Sequence, residues 1–281
     1  MVFNNSLLLG AGGQGGAVAP FDSSLIGNSV WLNGSDEYLN RTPSSAGNRT
    51  RWTLGWWFQL NAVATDMAFF SANNGSNDFF IRMDGTSNQN MMIMDDNASM
   101  NCRTVAFQRD VGWYHCIMSY DSNQGVAKDR IQIYLNGERQ EVSFQSAAEP
   151  SSGGQTFWNN NQNHEIGRRS RTSGSHVKAY MAQVVFLNAD SIQNGDVAVS
   201  DFLDTFALGT NGFQFVPKSN SDIAALATAA GGNSFCLDFA DTSNFGNDIS
   251  DNTNDFTANS MSSANQSLNT PSNVYPKVSN I

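Results

Sequence analysis

Lysine is nearly missing from this 281-residue chain: Lys128, Lys178, Lys218 and Lys277 are all it has. Charged residues make up only 14%, the formal net charge is −10, and the arginines gather only at Arg168, Arg169 and Arg171. A phosphate-binding surface needs a basic patch that releases counterions, so this balance excludes nucleic acid as a partner. The small arginine cluster reads instead as charge guarding a hairpin edge. Long Leu/Glu/Lys/Ala runs are also missing, so helix content should be low. Cysteine is scarce: Cys102, Cys116 and Cys236 are widely spaced and fit no CxxC pattern. That excludes a zinc site and a disulfide framework, and predicts buried free thiols in a reducing compartment. No apolar run approaches the ~20 residues that span a bilayer. Leu7-Leu8-Leu9 is too short for the apolar core of a secretion signal and has no basic flank. The chain is therefore expected to fold in a cytoplasm, without membrane insertion.

Catalytic groups are thin as well. Glu37, Glu138, Glu141, Glu149 and Glu165 are the only glutamates, and none lies in the Glu-x-Asp-x-x-Glu spacing of a glycanase acid/base strand. His115 stands in an aromatic, strand-like run and reads as a core histidine. His164 and His176 stand in loop-like segments, with no nucleophile elbow nearby. No enzyme activity is expected. Gly10-Ala11-Gly12-Gly13-Gln14-Gly15 matches GxGxxG literally, but Pro20 interrupts the helix that a dinucleotide site needs, and β/α alternation is missing. No cofactor is expected. Asp95-Asp96-Asn97 and the run Asp238, Asp241, Asp248, Asp251 and Asp255 supply hard oxygen atoms that would suit calcium, against the reading that they serve turns.

What the chain has is alternation. In Arg130 to Glu138, Ile131, Ile133 and Leu135 share one face, and the run closes on Asn136-Gly137, a half-buried strand entering a tight turn. Trp113 to Asp121 is an aromatic and branched strand buried on both sides. In Trp52 to Leu60, five large apolar residues (Trp52, Leu54, Trp56, Phe58, Leu60) recur at every second position, which predicts core; Trp57 points the other way. Further strands are expected at Val30–Leu32, with Tyr38-Leu39 across a Gly34-Ser35-Asp36 turn. Others are expected over 67–71, 78–83, 91–94, 102–107, 164–168, 177–188 and 235–239. Helical turns are expected over 199–206 and over 223–230, the latter closed by Gly231-Gly232.

Taken in order, several of these pieces resemble the laminin-G-like, concanavalin-A-like jelly rolls of tailed-phage virion proteins. They are Ser29-Val30-Trp31-Leu32, Arg41 to Arg49, Trp113-Tyr114-His115, Arg130 to Glu138, Phe157-Trp158, Glu165 to Arg169, Leu237-Asp238-Phe239 and Asn254 to Thr257. The resemblance implies an all-β antiparallel sandwich over residues 28–259, between a Gly-rich N-terminal anchoring arm (1–27) and a C-terminal arm (260–281). It implies a virion structural protein (decoration, fibre or tail appendage) partnered by other virion proteins and by copies of itself, able to bind host-surface glycans. A glycan-active hydrolase on the same fold is the alternative. Where such domains often carry an acidic residue on the last long strand, this chain has Gln183, which weakens the transfer of a calcium site. Rings that stack on sugar faces and amides that read hydroxyls place the expected glycan site at Trp57, Trp158, Asn159, Asn160 and Asn161. Ordering the Gly-rich leader needs an apolar anchor, expected at Phe3, Leu7, Leu8 and Leu9.

Overall fold

The computed structural model describes residues 24–61, 66–85, 91–95, 100–104, 112–145, 148–207 and 213–272, with Asp22 and Ala98. The expected anchor residues Phe3, Leu7, Leu8 and Leu9 lie outside the described residues. Among those described, the chain forms β1 (Ser29–Asn33), β2 (Tyr38–Arg41), β3 (Arg51–Leu60), β4 (Met67–Asn73), β5 (Asp78–Met83), β6 (Met91–Asp95) and β7 (Met100–Thr104). There follow β8 (Tyr114–Asp121), β9 (Ile131–Leu135), β10 (Glu138–Arg139), β11 (Val142–Phe144), β12 (Asn163–Ile166) and the long β13 (Lys178–Asn188). The last third adds α1 (Val199–Phe202), β14 (Leu203–Ala207), β15 (Phe213–Pro217), α2 (Asn220–Ala230), β16 (Phe235–Leu237), β17 (Thr257–Asn259) and β18 (Gln266–Ser267).

Sixteen of these strands make two eight-stranded antiparallel sheets. The first runs β10-β9-β8-β3-β13-β1-β18, with β16 also paired to β13; the second runs β11-β7-β6-β5-β4-β12-β2-β17. The expected antiparallel β-sandwich is the observed architecture. Two hairpins form where turn chemistry placed them. Asn136 and Gly137 both take positive φ (48° and 79°), as a two-residue turn with the twist of its flanking strands requires, and Leu135 pairs with Glu138. The Asn73 and Asn74 side chains accept the N–H groups of Gly75, Ser76 and Asn77, closing β4 onto β5.

Trp52, Leu54, Trp56 and Phe58 of β3 are fully buried in one core with Ile131, Ile133 and Leu135 of β9 and with Phe69, Phe70, Phe79 and Ile81 of the facing sheet. Packing against that sheet also corrects one expectation. Val30-Leu32 and Tyr38-Leu39 do not form a hairpin: β1 belongs to the first sheet and β2 to the second. Val30, Leu32 and Leu39 all bury against the same core, and strands on opposite layers reach it only if the chain crosses between them.

A second, smaller core lies on the outer face of the first sheet. The α1–β14–β15–α2 segment folds over β13 and β8, burying Phe202, Leu203, Ile223, Ala224 and Ala227 against Trp57, Ile117, Ala182, Val185 and Cys236. Helix α2 starts on Ser219, whose hydroxyl accepts the Asp222 N–H at 3.1 Å, and closes on Gly231. The helix expected over 199–206 stops at Phe202, and Leu203 turns to extended backbone. The described part of the expected C-terminal arm joins the sandwich: β18 pairs with β1, and Thr270 and Ser272 are buried.

Candidate functional site

The glycan residues read from the sequence do not share one surface. Trp57 is fully buried under the cap: its ring lies 4.7 Å from that of His115, and its Nε1 donates to Gln183 Oε1 at 3.3 Å. Trp158 is 1% exposed, enclosed by the rings of Phe70, Phe79, His164 and Phe186 at 4.6 to 6.0 Å. Neither indole offers a face to solvent for sugar stacking, which corrects that expectation. The physical reason is area: an indole removed from water stabilises the fold far more than an exposed one. Alternation placed Trp57 on the outer face correctly, but not the segment that covers that face.

Asn159, Asn160 and Asn161 are brought together at one end of the sandwich and take different roles. Thr156, Phe157 and Trp158 are pinned first. The Thr156 hydroxyl accepts from Trp52 Nε1 at 2.9 Å, and Asp95 accepts the Phe157 N–H. The loop then turns at Asn159 (φ 66°), a left-handed conformation that asparagine tolerates. The Asn159 side chain is buried at the centre of an amide network. Its Nδ2 donates to Asn48 O (2.9 Å) and Asn188 Oδ1 (2.7 Å), and its Oδ1 accepts from Asn233 Nδ2 (2.9 Å). Asn188 Oδ1 also accepts the Asn48 N–H at 2.8 Å, and Asn233 Nδ2 donates to Ser45 O at 3.0 Å. Gly47 passes so close that a Cβ there would sit 2.4 Å from Asn188 Oδ1 and 2.5 Å from Asn159 Nδ2, so only glycine fits. At the rim, half-buried Asn160 and exposed Asn161 face outward, and Asn161 Nδ2 reaches Ser44 O at 3.2 Å.

Next to this network is a shallow recess, with room inside for about one water molecule, lined by Arg41, Pro43, Trp158, Asn159, His164, Phe186, Asn233, Phe235 and Phe256. His164 is a fixed, neutral part of its wall. Nε2 accepts the Asn159 N–H at 2.9 Å, which leaves Nδ1 to donate to Gln162 O at 2.7 Å. Burial lowers its pKa to about 4. With its lone pair engaged, His164 positions the loop and is not placed to act as a base. Arg41 donates to Asn233 O and to Asn254 Oδ1, while Asn254 Nδ2 is held by Gly232 O and Ser234 O.

The carboxylates are bound up in similar ways. Both oxygens of Glu165 accept from Arg168, at 2.6 and 2.9 Å, and the Arg168 guanidinium lies 3.4 Å from the centre of the Tyr38 ring. Asp248 accepts the N–H groups of Cys236, Ser250 and Asn254 and the Ser250 hydroxyl, so it organises a turn. Asp95 caps Ala98, while Asp96 and Asn97 lie outside the described residues. Gln183, at a β-bulge of β13, ties that strand to Lys218 O and Asn220 Oδ1 of the cap.

Sequence reading missed Arg41, Phe186, Asn233, Phe235 and Phe256 as neighbours of Trp158, because separate loops and strands bring them together. It also missed the aromatic pair Trp31–Tyr180, half-buried on the outer face of the first sheet with centroids 4.7 Å apart. The alternation of β1 and β13 could have found that pair.

Among the described residues no helix is long and apolar enough to cross a membrane. No match was found among curated proteins. Solved structures with similar outlines include a heptameric SAP-like pentraxin from Limulus polyphemus (14% identity, TM-score 0.47, 69% of this chain and 96% of that one). Others are laminin alpha1 domains LG4-5 from mouse (9%, 0.41, 73% and 50%) and tailspike protein 2 of an Escherichia coli O157:H7 bacteriophage (13%, 0.42, 63% and 25%). This chain therefore spans half the length of the laminin fragment and a quarter of the tailspike. The sequence profile of the concanavalin A-like lectin/glucanases superfamily, in its laminin-G form, matches residues 33–193, more than half of the molecule, and the chain belongs to that family.

Proposed function

We propose that this chain is a non-catalytic, glycan-binding sandwich carried as a decoration, fibre or tail-appendage protein of a tailed-phage particle. One observation carries the binding half: the amide-built end of the molecule, where Asn48, Asn159, Asn188, Asn233 and Asn254 hold one another and nearby backbone rigidly around a recess. The buried amides, whose hydrogen bonds are spent within the network, hold the rim groups in place, so that those groups would read sugar hydroxyls at low entropic cost. Asn160, Asn161 and the Ser44-Ser45 loop form its outer rim.

The non-catalytic half rests on how the nearby acid and base groups are used. Glu165 is held by Arg168, Asp248 by backbone N–H groups, and His164 by Asn159. A retaining or inverting glycosidase needs two carboxyl groups that are both open to substrate. The particle half rests on the resemblance of the sequence motifs to virion domains, and on Cys102, Cys116 and Cys236, which are free and buried as folding in a reducing host cytoplasm would leave them.

The test combines a glycan array with a polysaccharide-degradation assay. Saturable binding without release of reducing ends is expected. Release of reducing ends would establish the hydrolase alternative, and an array at background would leave only the structural role. An Asn161→Ala variant should weaken binding; loss on Trp31→Ala instead would move the site to the outer face of the first sheet. Antibodies to the chain should label intact particles.

A further inference from the structure

The loop that carries Arg168, Arg169 and Arg171 does not guard an edge. It lies over the middle of the second sheet, where the Ser71 hydroxyl of β4 donates to Arg168 O at 2.7 Å and Asn73 Nδ2 donates to Ser170 Oγ at 2.6 Å. Arg168 reaches toward β2, stacking on Tyr38 and pairing with Glu165. Arg169 reaches toward β5, pairing with Asp78 and lying 4.5 Å from the centre of the Phe80 ring. Arg82 flanks the same ring at 5.2 Å, and Arg103 continues the face on β7. Leu39, Phe79, Ile81, Cys102 and Ile166 fill the core, so Tyr38, Phe80, Arg82, Arg103 and Glu165, one position along, point outward.

Depth decides what this face shows to solvent. In the pairs Arg103–Asp84, Arg168–Glu165 and Arg169–Asp78 the carboxylate is the more buried partner, 8, 5 and 0% exposed against 22, 17 and 22%. The pair Arg82–Asp66 reverses that order. Guanidinium groups therefore lie outermost over most of the face, and Arg171 stands exposed at the loop tip. The four pairs cancel in charge, so the net −10 is carried by the rest of the molecule. On an acidic protein this is a locally positive surface. Beside the arginines runs a ladder of amides. Asn259 Nδ2 donates to Asn40 Oδ1 (2.7 Å), Asn40 Nδ2 to Asn163 Oδ1 (3.5 Å) and Asn163 Nδ2 to Glu165 Oε1 (2.9 Å).

Sparse cations interleaved with amides suit a ligand of sparse negative charge and many hydroxyls. A nucleic acid, with one charge per ~1.7 Å of duplex axis, would overrun so small a patch and meet the acidic remainder. We infer that the outer face of the second sheet is a docking track for an acidic polysaccharide, one that carries uronate carboxylates among neutral hydroxyls. Its carboxylates meet the guanidinium groups of Arg169 and Arg171, and its hydroxyls meet the amides of Asn40, Asn163 and Asn259. This inference rests on the glycan-binding reading above and narrows it to one class of chain; β12 leaves the rim of that site directly, Asn163 following Asn161 and Gln162.

Affinity electrophoresis of the full chain in gels holding polygalacturonate tests this, with the fully methyl-esterified polymer as the same backbone without its charge. Retardation by polygalacturonate is expected, weakening as salt rises, and about tenfold weaker with the ester. Arg171→Glu, at an exposed position, should lose about tenfold in affinity while the unfolding midpoint stays unchanged. Equal retardation by both polymers, or by neither, would overturn the track, as would an Arg171→Glu variant that binds like the native chain. A single-stranded oligonucleotide that retards the chain as strongly would also overturn it, since the face would then read charge alone. Array binding to neutral glycans, weakened by Asn161→Ala and not by Arg171→Glu, would leave the glycan reading standing without the track. If no glycan binds at all, both readings fall.

Discussion

His115 and His164 sit in β8 and β12 at 2% and 4% exposure, and burial lowers their pKa values from 6.5 to about 3 and about 4. The unfolded chain therefore binds more protons than the folded one between pH 6.5 and those values. Stability is fully present above 6.5 and declines as pH falls through the window. At pH 5 the loss should reach about 2 kcal/mol per histidine relative to neutral pH. Asp190 and Asp238, whose values are raised by burial, act in the opposite sense and only nearer the carboxylate range. Urea midpoints at pH 7.5, 6 and 5 check this; a flat series would mean that the imidazoles are solvated or charged. Asn159 allows a second test at this scale. Asn159→Ala removes three side-chain hydrogen bonds, to Asn48 O, Asn188 Oδ1 and from Asn233 Nδ2, and puts alanine at φ 66°; each bond lost without replacement costs about 1 kcal/mol. Thermal unfolding of that variant should show a loss of several degrees.

At the scale of elements, the sandwich depends most on β3, the centre of the first sheet between β8 and β13. Trp56 is fully buried there, with Phe58, Phe69 and Phe70 at 4.9 to 6.3 Å. Trp56→Ala should destabilise by about 3–5 kcal/mol through lost transfer energy and the cavity left behind. Ser219→Ala removes only the cap of α2 and should cost about 1 kcal/mol. Denaturant unfolding of both variants tests the contrast. Similar losses would mean that the cap over β13 carries as much stability as the core between the sheets. These elements were legible in the sequence wherever strict alternation or a turn dipeptide set them, as in β3, β9 and the Asn136-Gly137 hairpin. Trp158 was read as a sugar-stacking ring and is instead buried in a loop, because a loop residue buried by tertiary packing leaves no periodic trace.

At the scale of the molecule, two sheets enclose one core and a helical cap closes a second. Gln266 and Ser267 join the first sheet beside β1, so truncation at residue 260 should weaken the whole sandwich. On the proposed particle role, deletion of residues 2–16 should leave the sandwich folded, as judged by circular dichroism and unfolding midpoint, yet abolish incorporation into particles. Normal incorporation of that deletion would place the anchor elsewhere, most naturally at the C-terminal end.

Composition and alternation by themselves determined the class of the protein. A chain with little lysine, few glutamates and large apolar side chains at every second position has little material for helices and can bury one face only as strands. They also determined which face of β3 is core, because side-chain direction along a strand is a local property of the backbone. What lies over the other face is not local. Only the tertiary structure decided that Trp57 is capped and that Tyr38-Leu39 joins the opposite sheet. Likewise, only the fold showed that Trp158 forms the wall of a recess assembled with Arg41, Phe186, Asn233 and Phe256. Those neighbours lie up to 117 residues from Arg41 to Trp158 and 98 from Trp158 to Phe256, and the contacts arise from packing loops against one another. The pattern of a single strand carries no record of such contacts.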